Sequence, residues 1–355
     1  MLARATLTVD LGKIEENARR VCTALPGIAV VGVTKVTCGT PEVARAMLAG
    51  GVAAIGESRL ENAARLRDAG VSAPIWLLRA PTPALADDAV RLVDVSAISE
   101  LAIADALDAA AARAGCRHGI LAMVDIGDRR EGMMPSELPA FLSAVEALES
   151  VEIIGIGASL TCYGAIVPDA ANLGLLGELA ATAEIQLGRT LVVSGGSSTS
   201  IDPVMRGLGP AAIDNLRIGE AIVLGVDPAT RLPISDLELH TDAITLTAPV
   251  IECALKPSLP LGTSAQDAFG TTPTFVDRGD RMRAICAVGR QDARAEDLTP
   301  LDSRVEVLGA SSDHLVLDVG DLPAAPAIGD AIEFTPGYSA TLGLFTSAYV
   351  DKRFV

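Results

Sequence analysis

Lys35 closes the run Ile28-Ala29-Val30-Val31-Gly32-Val33-Thr34, so a single amine stands where an apolar strand stops. Lysine is scarce in this chain: Lys13, Lys35, Lys256 and Lys352 are set against 24 arginines. A coding bias that replaces lysine by arginine explains the ratio, but a lysine kept at the end of an apolar strand needs its own reason. Apolar surroundings disfavour the ammonium and leave a neutral amine available as a nucleophile, which is what Schiff-base chemistry requires. A strand-end lysine can also snorkel to water or pair with a carboxylate. A second group of residues therefore has to weigh in. Ser194-Gly195-Gly196-Ser197-Ser198-Thr199-Ser200 is small and rich in hydroxyls. Such a stretch lets the backbone approach an anion and offers hydroxyl donors to phosphate oxygens. Leu216-Arg217-Ile218-Gly219-Glu220 offers a second close approach at Gly219.

The elements that must position these residues are short β-branched strands alternating with Ala-rich helical stretches. Strands are expected at Ile28–Thr34, Ala53–Gly56, Ile75–Arg79, Val93–Ser96, Ile120–Asp125, Ile153–Ser159, Thr190–Ser194 and Leu216–Gly219. Helices are expected at Pro41–Ala49, Leu60–Ala69, Ile98–Ala114, Pro135–Leu148 and Ala170–Leu187, with Thr40-Pro41 and Ser136 marking two of the starts. Eight strand–helix repeats are the pattern of an α/β fold of the (β/α)8 TIM-barrel type, with a doubly wound open sheet as the structural alternative. In a barrel, chemistry sits at the C-terminal strand ends, and the loops after strands seven and eight are the usual phosphate site. A lysine after strand one and a phosphate cradle after strands seven and eight together imply pyridoxal 5'-phosphate, held by its aldehyde at one end and its phosphate at the other. The pattern changes near Asp227-Pro228. Alternating segments at His240–Val250, Arg281–Ala287, Arg304–Leu308, Leu315–Val319 and Ala331–Thr335 then predict a mainly antiparallel β domain. The division expected is a barrel over residues 10–230 and a β domain over 231–355, joined by the N-terminal strand within 1–9.

Composition excludes several classes. The chain has 355 residues, half of them hydrophobic and 3% aromatic, and mean hydropathy is +0.40. Dominant disorder is excluded by that apolar content. With 28 basic and 45 acidic residues the net charge is −17, against nucleic acid or an anionic membrane as partner. The N-terminus lacks a basic-then-apolar leader, so a cytoplasmic protein is expected. The cysteines, Cys22, Cys38, Cys116, Cys162, Cys253 and Cys286, form no CxxC pair and read as single thiols. No His/Asp/Glu cluster has metal-ligand spacing, and no metal is expected.

Several longer motifs resemble those of the alanine racemase-type, fold type III, pyridoxal-phosphate enzymes, and most closely their ornithine racemase-like branch. They are Thr8-Val9-Asp10-Leu11, Val33-Thr34-Lys35, Val124-Asp125-Ile126-Gly127-Asp128-Arg129-Arg130-Glu131-Gly132, Leu160-Thr161-Cys162-Tyr163-Gly164, Ser194-Gly195-Gly196, Lys256-Pro257-Ser258-Leu259-Pro260, Asp267-Ala268-Phe269-Gly270 and Gly309-Ala310-Ser311-Ser312-Asp313-His314. The resemblance covers nearly the whole chain. It implies a head-to-tail homodimer in which the β domain of one copy completes the other's active site. It implies that Lys35 bonds the cofactor, that Arg217 faces the pyridine nitrogen, and that Gly219, Glu220, Ser197 or Ser198, and Tyr338 contact the phosphate. Arg130 steadies the substrate side or the cofactor's ring oxygen. Arginine only donates, so the ring is a weaker electron sink and brief Cα deprotonation is favoured. The activity implied is racemisation of a free amino acid, ornithine or another basic one.

Two departures stand out. A tyrosine expected soon after the lysine is replaced by Gly39, and the tyrosine that serves as second base in the family is replaced by Arg290, a poor base because a guanidinium only donates. Asp313 and His314 are the first candidates for the opposite-face proton, followed by Cys162 and Tyr163. Asp267 and Asp292 are candidates for recognising a distal amine, or else solvated loop carboxylates. A pyridoxal-phosphate D-amino-acid aldolase or lyase, and a non-catalytic pyridoxal-phosphate carrier, are the competing readings.

Overall fold

The computed structural model describes residues 4–234 and 236–355. The chain forms two compact units. One is Leu11–Thr241, and the other joins the N-terminal segment up to Asp10 to Asp242–Val355.

After a strand, β1 (Thr6–Val9), and a helix, α1 (Leu11–Ala24), eight parallel strands close a barrel. They are β2 (Ala29–Val33), β3 (Ala54–Glu57), β4 (Ile75–Leu77), β5 (Val95–Ile98), β6 (His118–Met123), β7 (Val151–Gly157), β8 (Val192–Ser194) and β9 (Asn215–Ile218). The intervening helices are α2 (Pro41–Ala49), α3 (Leu60–Asp68), α4 (Ala86–Leu92), α5 (Leu101–Ala114), α6 (Leu138–Glu146), α7 (Ala170–Leu187) and α8 (Ile201–Met205), and α9 (Glu220–Leu224) follows β9. The strands are near-continuous apolar runs because both faces are covered, by barrel core inside and helices outside. Ile55, Ile75, Leu77, Ile98, Ile120 and Leu121 are fully buried on them. Helix ends follow local chemistry. Thr40 precedes a proline at the first position of α2. Asp169 caps α7, accepting from the Ala171 and Asn172 N–H groups at 2.9 Å each. Ile98 belongs to β5, so α5 begins three residues later than its apolar pattern predicts. Ser136 is not a helix cap. It lies inside a 3-10 turn, Pro135–Glu137, capped at Met134, whose N–H donates to Glu137 Oε2 at 2.7 Å.

The barrel closes where β2 pairs with β9, with Val31 opposite Arg217 and Gly32 opposite Ile218. Closure therefore sets the first and last strands of the barrel side by side. Residues 231–234 and 236–241 cluster with this unit. Asn17 Nδ2 donates to the carbonyls of Ile222 and His240 at 3.0 and 2.9 Å, and the His240 N–H donates back to Asn17 Oδ1 at 2.7 Å. His240 accordingly precedes the first strand of the other unit rather than opening it.

That unit contains β10 (Ile244–Pro257), β11 (Asp280–Cys286), β12 (Leu298–Pro300), β13 (Glu306–Ala310), β14 (Leu315–Asp318), β15 (Ala331–Pro336), helix α10 (Tyr338–Thr346) and β16 (Asp351–Phe354). The sheet has eight strands, in the order β12-β15-β10-β11-β14-β13, and β1 pairs antiparallel with β10 and parallel with β16. The fold class is an α/β TIM barrel with a mainly antiparallel β unit. Among the described residues, no helix is long and apolar enough to cross a membrane.

Candidate active site

Lys35 opens a one-turn 3-10 segment, Lys35–Thr37, directly after β2. Thr34 is buried and its carbonyl accepts from the N–H groups of Thr37 at 3.0 Å and Gly39 at 3.2 Å. The turn ends in two successive left-handed residues, Cys38 (φ 53°) and Gly39 (φ 61°). A Cβ on Gly39 would lie 2.7 Å from Asn62 Cβ. That contact gives a physical reason for glycine where the resemblance leads one to expect tyrosine: this backbone has no room for a side chain.

Arg217, on β9 beside β2, is 5% exposed. Its Nη1 donates to Ser194 Oγ, and its Nη2 donates to the Ala158 carbonyl at 2.6 Å and Ser159 Oγ at 3.3 Å. All of these acceptors are neutral. Burial pulls the guanidinium down to about 10, with Glu131 and the Cys162 thiol opposing that pull, so it stays charged near neutrality. The loop after β8 folds against it, since the Arg217 N–H donates to the Gly196 carbonyl at 3.0 Å. Gly196 has φ 111°, and a Cβ there would lie 2.5 Å from Ser200 Oγ. Ser198 is buried and its Oγ accepts from the Ala221 N–H at 3.2 Å, tying this loop to the start of α9. Ser197 Oγ lies 3.3 Å from Thr199 Oγ1. A Cβ on Gly219 would lie 2.9 Å from the Val33 carbonyl, so the loop after β9 presses on the end of β2. Glu220 pairs with Arg231.

The loops after β6 and β7 form the adjoining arc. Arg130 is paired bidentately with Glu131, and the exposed Cys162 thiol interacts with its charge. Burial pulls the Arg130 guanidinium down, but the Glu131 carboxylate outweighs it and the net shift is upward. Buried Asp125 accepts from the Gly127 N–H at 2.8 Å, and buried Asp128 accepts from the N–H groups of Tyr163 and Gly164 at 3.0 and 2.9 Å. Asp128 thus fixes the loop carrying Cys162 to the loop carrying Arg130. Tyr163 is 74% exposed.

The barrel residues expected from sequence therefore gather on loops at the C-terminal ends of adjacent strands, β6-β7-β8-β9-β2. The donor set suits pyridoxal phosphate: an amine after β2, a permanently charged guanidinium on β9, and hydroxyls on a cradle whose glycines leave no space for a Cβ. The remaining candidates lie in the β unit. Tyr338 is the first residue of α10. Asp313 is exposed and accepts from Gln291 Nε2; the His314 carbonyl accepts from the Ser311 N–H at 2.9 Å. Arg290 is a structural anchor, donating to the Ala310 carbonyl at 3.1 Å and Glu296 at 2.9 Å, with its guanidinium 4.9 Å from the Phe269 ring centre. Asp292 is not a solvated loop carboxylate. It is buried and accepts from Ser347 Oγ at 2.7 Å. Asp267 accepts from the N–H groups of Phe269 and Thr271 at 2.9 Å each.

Sequence reasoning missed Glu57. It is fully buried at the end of β3, the strand next to β2, and Thr34 Oγ1 donates to it at 2.5 Å. The signal that singles out Lys35, a charge at the end of an apolar strand, is equally present in Ala54-Ile55-Gly56-Glu57.

Comparison with known proteins adds to this geometry. Residues 9–227 match the alanine racemase N-terminal domain family. The chain is 38% identical to ornithine racemase of Acetoanaerobium sticklandii over 98% of both chains. It is 40% identical to lysine racemase of Thermotoga maritima, over 98% of this chain and 97% of that one. Among solved structures, alanine racemase from Bartonella henselae with covalently bound pyridoxal phosphate superposes with a TM-score of 0.75 at 17% identity, covering 99% of both chains.

Proposed function

The chain belongs to the alanine racemase family, and on that premise we propose that it is a pyridoxal-phosphate-dependent racemase of a free basic amino acid. One observation carries the reading: Lys35 follows β2 and Arg217 stands on its neighbour β9 because the barrel closes through these two strands, with the Gly/Ser cradle after β8 bonded to Arg217. The two relatives that match over nearly their whole length, named for ornithine and lysine, support a diamino acid as substrate.

Lys35 would hold the cofactor's aldehyde carbon. Ser197, Ser198 and the backbone of Gly219 and Glu220 would hold its phosphate, with Tyr338 contributing from the β unit. Arg217 would donate to the ring nitrogen. When bound, pyridoxal phosphate withdraws electrons from the amino acid joined to it and so acidifies the Cα–H. Lys35 Nζ takes that proton on one face of Cα and can return it there. Arg217, whose acceptors among the described residues are neutral, would keep its own protons and so would leave the ring nitrogen without one, which would favour brief deprotonation. A second acid must supply the opposite face. His314 Nε2 or Nδ1, assisted by Asp313, is the leading choice because an imidazole can both give and take a proton. Cys162 Sγ, beside Arg130, is the alternative. Arg130, held by Glu131, orients the substrate side.

A head-to-tail homodimer completes this site, the β unit of one copy bringing Tyr338, Asp313 and His314 to the barrel of the other. A cytoplasmic location fits an enzyme acting on free amino acids.

The test is Lys35→Ala. The variant should lose the absorbance at about 420 nm that a lysine-bound cofactor shows. It should also lose Cα hydrogen–deuterium exchange on L-ornithine and L-lysine in D2O, read by mass spectrometry and chiral chromatography. Retained absorbance together with retained racemisation would defeat the proposal.

A further inference from the structure

Glu57 takes no part in the steps above, yet it is 0% exposed, a position carboxylates hold only when well bonded. Thr34 Oγ1 donates to its Oε1 at 2.5 Å, while Asn62 Nδ2 and the Ser58 N–H donate to its Oε2 at 2.9 and 3.1 Å. The last two are obligate donors, so Oε2 only accepts, while Oε1 meets the hydroxyl of Thr34. The network continues outward. Asn62 Oδ1 accepts from Arg65 Nη1 at 3.2 Å, and the same nitrogen donates to the Cys38 carbonyl. The bonds therefore run from Thr34, immediately before Lys35, through Glu57, Asn62 and Arg65 to Cys38, three residues after it. Asn62 also packs on Gly39. Cys38 holds a left-handed backbone that a non-glycine residue keeps only when its surroundings impose it. Burial outweighs its hydrogen bonds and the Lys35 charge, so the Glu57 carboxyl is shifted upward.

We propose that Glu57 is a positioning residue for Lys35. Through Thr34, Asn62 and Arg65 it fixes the turn that carries the amine. The assignment rests on Lys35 being the group that moves the Cα proton.

The experiment compares wild type with Glu57→Ala, Glu57→Gln and Thr34→Val in the full-length chain. Glu57→Ala strips the acceptors from Thr34, Asn62 and the Ser58 N–H, whereas Glu57→Gln keeps the shape of the network. Lys35 accessibility is followed by competitive amine labelling at one pH, after hydroxylamine removes cofactor, with Lys13, Lys256 and Lys352 as internal standards in the same mass spectra. The Lys35 labelling ratio should rise about threefold in Glu57→Ala and return to within about 1.5-fold of wild type in Glu57→Gln. In the reconstituted enzyme kcat for racemisation should fall about tenfold in Glu57→Ala with KM changed by less than about twofold, and Glu57→Gln should recover most of it. Thr34→Val, which removes one bond, should lower kcat by about threefold. An unchanged Lys35 labelling ratio in Glu57→Ala overturns the assignment. Should that variant fail to fold, unchanged kcat in Thr34→Val overturns it instead. The labelling readout needs neither cofactor nor turnover, so a wild type that binds no pyridoxal phosphate would sink the function and still leave the labelling ratio to judge the role of Glu57.

Discussion

At the N-terminal end of the barrel, His118 opens β6 fully enclosed, with Nε2 2.9 Å from Ser96 Oγ on β5. At the C-terminal end, Arg217 is just as enclosed and is likewise bonded to a serine hydroxyl, that of Ser194. The two sites differ in what burial does to the charge. His118 is pushed down to about 4 by desolvation and simply becomes a neutral packing group. Arg217 is pushed down to about 10 and stays a cation, because its ordinary value is so high. The same low-polarity surroundings thus silence one base and leave the other as a permanent charge. A barrel can tolerate such a charge only where it serves function, since an unpaired buried cation costs stability.

The largest expected effect is at Arg217. Arg217→Met should lower racemisation by at least about 100-fold, the scale of losing a charged group aimed at the reacting system. Stability should change far less. Removing the charge relieves a penalty of roughly 3 kcal/mol, the equivalent of its displacement in pKa. It also strands the acceptors on Ser194 and Ala158, at about 1–3 kcal/mol. Urea unfolding should therefore place the variant within about 2 kcal/mol of wild type. A variant that unfolds outright would mean that Arg217 holds the barrel together, and the contrast between the two ends would collapse.

His118 should show the reverse pattern, an effect on stability without one on turnover. Its folded pKa, about 4, lies below the ordinary 6.5, so the unfolded chain takes up the proton first as pH falls. The stability of the neutral form is complete above pH 6.5 and is lost as pH drops toward 4, by about 3 kcal/mol in all. In His118→Gln this slope should vanish, while kcat at pH 8 stays within about twofold of wild type. Equal slopes in the two proteins over that window would show that His118 is not buried as a neutral ring.

The same contrast explains what could be read from sequence. The barrel was legible because strands covered on both faces become short unbroken apolar runs, and helices between them repeat small residues on one side. Lys35 stood out because lysine is scarce here and this one follows Val33-Thr34. Glu57 carries the same signature, but reading the strand as Ala53–Gly56 put the carboxylate in a loop, whereas the strand includes it. Arg290 and Asp292 could not be understood locally. Arg290 is fixed by Glu296, Ala310 and Phe269, and Asp292 by Ser347 from 55 residues away. Asp128 likewise holds Tyr163 and Gly164, a pairing set by the adjacency of β6 and β7. Contacts of that kind follow from topology, and a single sequence shows only their separate ends.

The smallest effects separate arginines that fasten backbone from arginines that decorate the surface. Arg67 reaches from α3 to the carbonyls of Leu92, Val71 and Ala73 at 3.0, 2.8 and 2.8 Å and to Asp94 at 2.8 Å. Asp94 in turn accepts from the Ile75 N–H at 2.7 Å, where β4 begins. Arg113 meets Asp87 at 2.7 Å, with both side chains more than half exposed. Arg67→Ala should cost about 2 kcal/mol, because backbone acceptors and a carboxylate lose their donors together. Arg113→Ala should cost less than about 0.5 kcal/mol, and that small difference should disappear in 1 M salt. Each figure is read from urea unfolding at pH 7.5. Equal costs would show that the backbone bonds of Arg67 add nothing beyond a surface ion pair, and that polar groups at this end of the barrel are as dispensable as those on the outer helices.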